Sequence, residues 1–154
     1  MSISLDDVVE LTAALVSIDS TNPDLVPGGA GEANIAAFVA GWLREAGLDV
    51  TVHDLGPNRA NVVGILPGSG GGQTLMLNAH MDVVGAGDMR DPWAPRRDGN
   101  RLHGRGAFDM KASLAVIMLV AGTVSHQGRH ADAESLYREA LEGFVANRPP
   151  GHAS

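Results

Sequence analysis

Residues 75–111 read LMLNAHMDVVGAGDMRDPWAPRRDGNRLHGRGAFDMK, and the fold turns on how this stretch is interpreted. It begins with the apolar run Leu75-Met76-Leu77, which delivers His80 and Asp82. It ends with Gly104-Arg105-Gly106 and Asp109-Met110-Lys111, ahead of a second apolar run. A few polar residues therefore stand between two segments expected to be buried. Buried His and Asp side chains need partners, and a metal ion is one such partner. In a strand, residues two apart share a face, so His80 and Asp82 would sit side by side. An imidazole next to a carboxylate is how proteins build a metal ligand together with the group that orients it.

Outward from this stretch, the chain alternates helical and extended periodicities. Leu5, Val8, Val9, Leu11, Leu15 and Ile18 fall at helical spacing and predict a helix over 5–18, with Asp6 and Asp7 in its first turn. Ser20-Thr21-Asn22-Pro23 stops it. A second helix is expected over 32–46, closed by Gly47. Strands are expected near 48–55, 61–66 and 74–80, all in one sheet. The glycine-rich stretch 67–72 is expected as a turn between paired strands, because it lacks the Gly-Lys-Ser or Gly-Lys-Thr ending of a phosphate loop. Residues 83–97 are expected as a loop over the site, 101–103 as a short strand and 109–124 as a helix with almost no polar face. This alternation argues for an α/β architecture with a central sheet covered by helices. After residue 124 the character changes. An amphipathic helix is expected over 130–146 and a frayed end over 147–154, giving two regions, 1–124 and 125–154.

Composition narrows the function. The chain has 154 residues, 44% of them hydrophobic and 19% charged, which fits one globular domain with a real core. A net charge of −7 argues against nucleic acid or an anionic membrane surface as a partner. With no cysteine, a metal site here must be built from His, Asp and Glu. The start MSISLDDVVE lacks the basic end and apolar centre of a signal peptide, and the apolar run 114–121 is too short to span a bilayer. A cytoplasmic location is the resulting expectation.

Two motifs carry a family resemblance. Leu77-Asn78-Ala79-His80-Met81-Asp82-Val83-Val84 is followed by Trp93, Asp98-Gly99 and Gly104-Arg105-Gly106-Ala107-Phe108-Asp109-Met110-Lys111. In this order they resemble the zinc aminoacylase and carboxypeptidase family, whose members include acetylornithine deacetylase and succinyl-diaminopimelate desuccinylase. The resemblance runs from about Leu5 to about Val124. One departure is Ala79, where the family commonly has Gly.

The resemblance implies a partial three-layer α/β/α zinc-peptidase-like catalytic domain without its lid domain. It also implies hydrolysis of amide bonds in N-acyl amino acids or short peptides with two zinc ions. By position, His80 would bind one zinc, Asp109 would bridge both, and Asp82 would be the catalytic carboxylate behind His80. A cis peptide is implied at Asp109–Met110. Arg105 would lie close by, either to stabilise the acidic cluster or to serve structure.

The family also needs a later Glu-Glu pair, whose first member is the general base and whose second binds zinc. The one adjacent acidic pair here is Asp6-Asp7, ahead of the first motif. The expectation is therefore an incomplete catalytic domain, inactive alone. The alternative is a non-catalytic remnant or binding module that keeps the fold. Among the other histidines, His53 and His103 are expected to bind no metal. Gly128 argues against a rigid metal-holding pair at His126 and His130, and His152 falls in the frayed end.

Overall fold

The computed structural model describes residues 3–68 and 71–127. The first helix, α1 (Leu5–Val16), starts at a reciprocal cap. The Asp7 amide donates to Ser4 Oγ, and the Ser4 amide donates back to the Asp7 carboxylate at 2.8 Å. The helix ends two residues short of the expected Ile18, because the chain then turns to run beside residues 81–83. Helix α2 (Ala33–Glu45) closes as the glycine predicts. Gly47 takes φ +88°, its amide donates to Arg44 O, and the Leu48 amide donates to Leu43 O.

Among the described residues no side chain caps the start of α2 at Glu32. Its first amides, those of Glu32 and Ala33, donate instead to Asn58 O, in the turn between two strands. Those strands are β1 (Asp49–Gly56) and β2 (Arg59–Ile65), an antiparallel pair close to the expected 48–55 and 61–66. Period-two alternation turns Val50 and Val62 toward α2, and Gly64 lets the sheet settle onto Leu43 and Leu48. Arg59 secures the same corner, with Nε 2.5 Å from the buried Glu32 carboxylate and Nη1 2.6 Å from Asp24.

The third expected strand does not form. Residues 74–80 run without a strand partner among the described residues, so the single three-stranded sheet is corrected to a two-stranded one. A strand exists only where a neighbour pairs its amides and carbonyls, and an apolar run signals burial without supplying that neighbour. Leu75 and Met76 are exposed as a result. The stretch 67–72 accordingly joins β2 to an unpaired segment rather than to a paired strand, with residues 69–70 outside the described residues.

A second correction concerns residues 83–97, expected as loop throughout. Arg96–Asp98 (β3) pairs with Arg101–His103 (β4) in a small antiparallel hairpin, turned at Gly99 with φ +57°.

The helix expected from residue 109 begins at Ala112. Helix α3 (Ala112–Gln127) is preceded by one wide turn, Ala107–Lys111, that is broken by non-helical backbone at Asp109 and Met110. Leu114, Ala115, Val116, Met118, Val120 and Val124 are buried. The 20-residue stretch Ala107–His126 is long and apolar enough to cross a membrane, with mean hydropathy 1.6. Here it is a core helix: α3 packs on α1 and reaches α2. The resulting domain is α/β, as the alternation implied. The layering differs in one respect, since α1 packs chiefly on α3 while α2 covers the hairpin. The expected helix over 130–146, with His130 and His152, lies outside the described residues.

Candidate metal centre

The unpaired segment 74–80 still delivers its polar residues to one place, because the chain just beyond α1 holds residues 81–83. Ser20 Oγ donates to Met81 O at 2.8 Å, and the Val83 amide donates to Ser20 O at 3.0 Å. The Asn22 amide donates to Val83 O at 2.9 Å, and Thr21 and Val83 form a parallel bridge. Residues 20–22 thus act as a short strand beside 81–83. Within this clamp, His80 Nδ1 lies 3.0 Å from Asp82 O and 3.2 Å from Asp82 Oδ1. A proton on Nδ1 has two acceptors there, which turns the Nε2 lone pair away from Asp82.

Nε2 faces Asp109 Oδ1 at 3.1 Å. The wide turn places that carboxylate. Gly106, with φ +82°, opens the turn, and its carbonyl accepts the Lys111 amide at 2.9 Å. The Asp109–Met110 peptide is cis, in agreement with the resemblance. The His80 amide points to Met110 Sδ at 3.4 Å, tying the two motifs together directly.

Lys111 anchors the far side of the turn. It is fully buried, and its Nζ donates to Ile18 O at 2.7 Å and stands 5.4 Å from the Trp93 ring centroid. Burial lowers its pKa to about 8, against a smaller opposing pull from Asp19. Arg105 makes structural contacts at the rim of the hollow. Its Nη2 donates to Ala86 O at 2.9 Å and its amide to Pro92 O at 2.8 Å, fastening the 83–97 segment. Its Nε is buried without a hydrogen-bond partner among the described residues.

His80, Asp82, Arg105, Phe108 and Asp109 line a hollow of about 280 Å³. A larger one of about 750 Å³ lies between α2 and the β1–β2 hairpin, lined by Ala33, Ala37, Ala40 and Arg44, but it holds no histidine. The polar residues of the two motifs therefore meet in the smaller hollow. The centre is more open than its apolar flanks imply. The His80 side chain is 47% exposed, that of Asp109 79% and that of Asp82 28%. The reason is the same bare segment: no described element lies alongside 74–80 to cover the site.

The donor set suits zinc in kind, one imidazole and one carboxylate, with their atoms at a spacing where both can touch one cation. It falls short in number. Among the described residues no three His, Asp or Glu side chains gather into a metal-holding group. Asp82 is turned to the opposite ring nitrogen of His80. His53 is exposed on β1 and His103 on β4, neither in the hollow, and His126 Nδ1 pairs with Gly122 O at 2.7 Å.

Two residues that matter to this geometry carry no role in the sequence analysis. Lys111 stands there only as the end of its motif. Asn22, there only part of a helix stop, places Nδ2 2.7 Å from Asp82 Oδ2. The one available signal is positional: a half-buried Asp needs a donor, and a polar Ser-Thr-Asn run ends the helix before the motif.

Comparison with known proteins converges on the same region. The model for peptidase family M20/M25/M40 matches residues 76–134. A succinyl-diaminopimelate desuccinylase of Leptothrix cholodnii is 33% identical over 132 residues, covering 78% of this chain and 33% of the relative. An N-formyl-4-amino-5-aminomethyl-2-methylpyrimidine deformylase of Bacillus subtilis is 29% identical over 119 residues, covering 73% of this chain and 27% of the relative. The chain spans about a third or less of the length of these curated relatives.

Proposed function

The chain belongs to peptidase family M20/M25/M40, and from that premise we propose that it carries one flank of the centre of a zinc-dependent amide hydrolase. The observation that carries this reading is the convergence of His80 Nε2 and Asp109 Oδ1 at 3.1 Å, with Asp82 behind the imidazole. His80 and Asp109 would hold the ion. A zinc ion there supplies a Lewis acid that polarises a carbonyl and makes water a better nucleophile. Asp82 keeps the Nδ1 proton and so keeps the Nε2 lone pair pointed into the hollow.

The substrate class we infer is a small N-acyl amino acid or short peptide. The names of both relatives support the N-acyl choice, since one is a desuccinylase and the other a deformylase. The hollow suits a small acyl group, and its Phe108 and Met89 offer apolar surface beside the polar pair.

Alone, this flank is short of what turnover needs. It presents two protein donors, where catalytic zinc usually has three. A positioned general base contributes about 10²–10⁴ in rate, and no carboxylate beyond Asp82, which faces the other ring nitrogen, joins His80 and Asp109 among the described residues. The test is metal analysis of the purified chain together with hydrolysis of an N-acetyl amino acid, with and without added zinc. Weak zinc binding and no hydrolysis above background are expected. Zinc-dependent turnover that His80→Ala abolishes would overturn the claim that the chain is inactive alone. No zinc binding at all would overturn the assignment of the centre.

A further inference from the structure

Asn22 is committed at both ends of its amide. Its Oδ1 accepts the Asp24 amide at 2.9 Å, in a turn local to the segment after α1. Its Nδ2 therefore faces outward as a donor, and it reaches Asp82 Oδ2 at 2.7 Å. The backbone leaves little freedom to this arrangement. The Asn22 amide donates to Val83 O, the Val83 amide donates to Ser20 O, and Gly31 N donates to Thr21 O at 3.0 Å, bracing the segment against the loop before α2. The other Asp82 oxygen, Oδ1, is 3.2 Å from His80 Nδ1.

A carboxylate with one free oxygen can rotate about its terminal bond, which is broad and soft. One whose second oxygen is held cannot do so without losing a hydrogen bond. We propose that Asn22 is a positioning residue of this centre. By holding Asp82 Oδ2 it keeps Oδ1 3.2 Å from His80 Nδ1, as a second acceptor beside the Asp82 carbonyl at 3.0 Å. It thereby strengthens the tautomer that leaves Nε2 unprotonated toward Asp109. The proposal rests on the zinc-hydrolase reading for its purpose, and on the hydrogen-bond geometry for its substance.

That tautomer has a competitor. Asp109 Oδ1 lies 3.1 Å from Nε2 and can accept a proton carried there instead. Without metal, the imidazole is shared between an acceptor pair at Nδ1 and a single acceptor at Nε2. Loosening Asp82 shifts the balance toward Nε2–H, the form that cannot ligate through that nitrogen. Asn22 thus acts on the metal from two contacts away, through Asp82 and then His80.

The two ends of the amide make the test clean. Asn22→Asp keeps an oxygen for the Asp24 amide, but it replaces the donor to Asp82 with a second carboxylate oxygen that repels it. Asn22→Ala removes both. With the full chain, free of metal and at a pH where the imidazole is neutral, the two ring nitrogen resonances of His80 are read by NMR and assigned by their loss in His80→Ala. In the wild type, Nδ1 is expected at the protonated position and Nε2 at the unprotonated one. In Asn22→Asp both resonances move toward each other as the second tautomer is populated, and in Asn22→Ala, which adds no charge, they move the same way. Zinc affinity, measured by competition with a chromophoric chelator, falls by about tenfold, the low end of what losing an outer-shell partner costs.

Unchanged nitrogen shifts in a folded Asn22→Asp chain would overturn the proposal. So would a fall in melting temperature in both variants with the wild-type tautomer intact, since Asn22 would then serve the turn alone. If Asn22→Asp does not fold, Asn22→Ala is read by the same resonances. A wild type that binds no zinc refutes the zinc-hydrolase reading, and the tautomer result still decides the role of Asn22.

Discussion

Gly106 sits where the two motifs press on each other, so replacing it tests the packing that brings His80 to Asp109. A methyl group added there would stand 2.6 Å from Val83 Cγ1 and 3.1 Å from Lys111 Cδ, on a backbone with φ +82°. Two costs add. Placing a residue with a Cβ in the left-handed region costs about 1–2 kcal/mol. Forcing a methyl into packed atoms costs about 1–3 kcal/mol more, because neither Val83, beside Asp82, nor the buried Lys111 stem can move freely. Gly106→Ala should therefore lose about 2–5 kcal/mol in all. Gly99 is the control. It also has a positive φ, +57°, but nothing lies within 4 Å of an added Cβ. Gly99→Ala should lose only the backbone share, about 1–2 kcal/mol. Urea unfolding of the wild type and both variants, compared at equal slope, gives the difference directly. If Gly106→Ala is no less stable than Gly99→Ala, then the contact between Val83 and the turn carrying Asp109 is not a packed joint.

Other expectations concern the frame around the site. Arg59→Ala should lower the midpoint of chemical denaturation, because it leaves the buried Glu32 carboxylate without its partner. An effect under about 0.5 kcal/mol, the range of ordinary surface changes, would mean that the pair is idle. The cap of α1 should register in acid. Hydrogen bonds from the Ser4 hydroxyl and amide hold the Asp7 carboxyl below its ordinary 3.8. A group so lowered stabilises the fold above its unfolded pKa and loses that contribution as pH falls through the folded value. Stability curves of the wild type and Asp7→Asn should thus be separated at neutral pH and converge as pH falls below the ordinary carboxyl value of 3.8. Curves separated by the same amount at every pH would show that the charge of Asp7 is not what the cap uses.

Much of the frame was legible along the chain because the rules involved are local. The 3.6-residue spacing of Leu11 and Leu15, the Ser4 and Asp7 cap and the left-handed stop at Gly47 each depend on neighbours within one or two turns. His80, Asp82 and Asp109 could be singled out because two separate motifs occur in order, and the structure brings their side chains together. The start of α2 was less legible. Its amides are capped by Asn58 O rather than by a side chain next to it in sequence.

The places where sequence reasoning stopped are those where the energy lies between segments distant in the chain. The run at Leu75-Met76-Leu77 has the apolar content of a buried strand, yet strand pairing is a property of two segments, and no described one lies alongside. Lys111 would ordinarily be placed in solvent. It is buried because Ile18 O, 93 residues away in sequence, and the Trp93 ring are brought to it. Asn22 and Asp82 are 60 residues apart, and nothing in either neighbourhood names the other. Periodicity, caps and motifs decide what each segment is and which residues can do chemistry. Which buried donor meets which acceptor is decided when the α1 exit, the 81–83 clamp and the Ala107–Lys111 turn are packed at one point, since a hydrogen bond depends on distance in space and not along the chain.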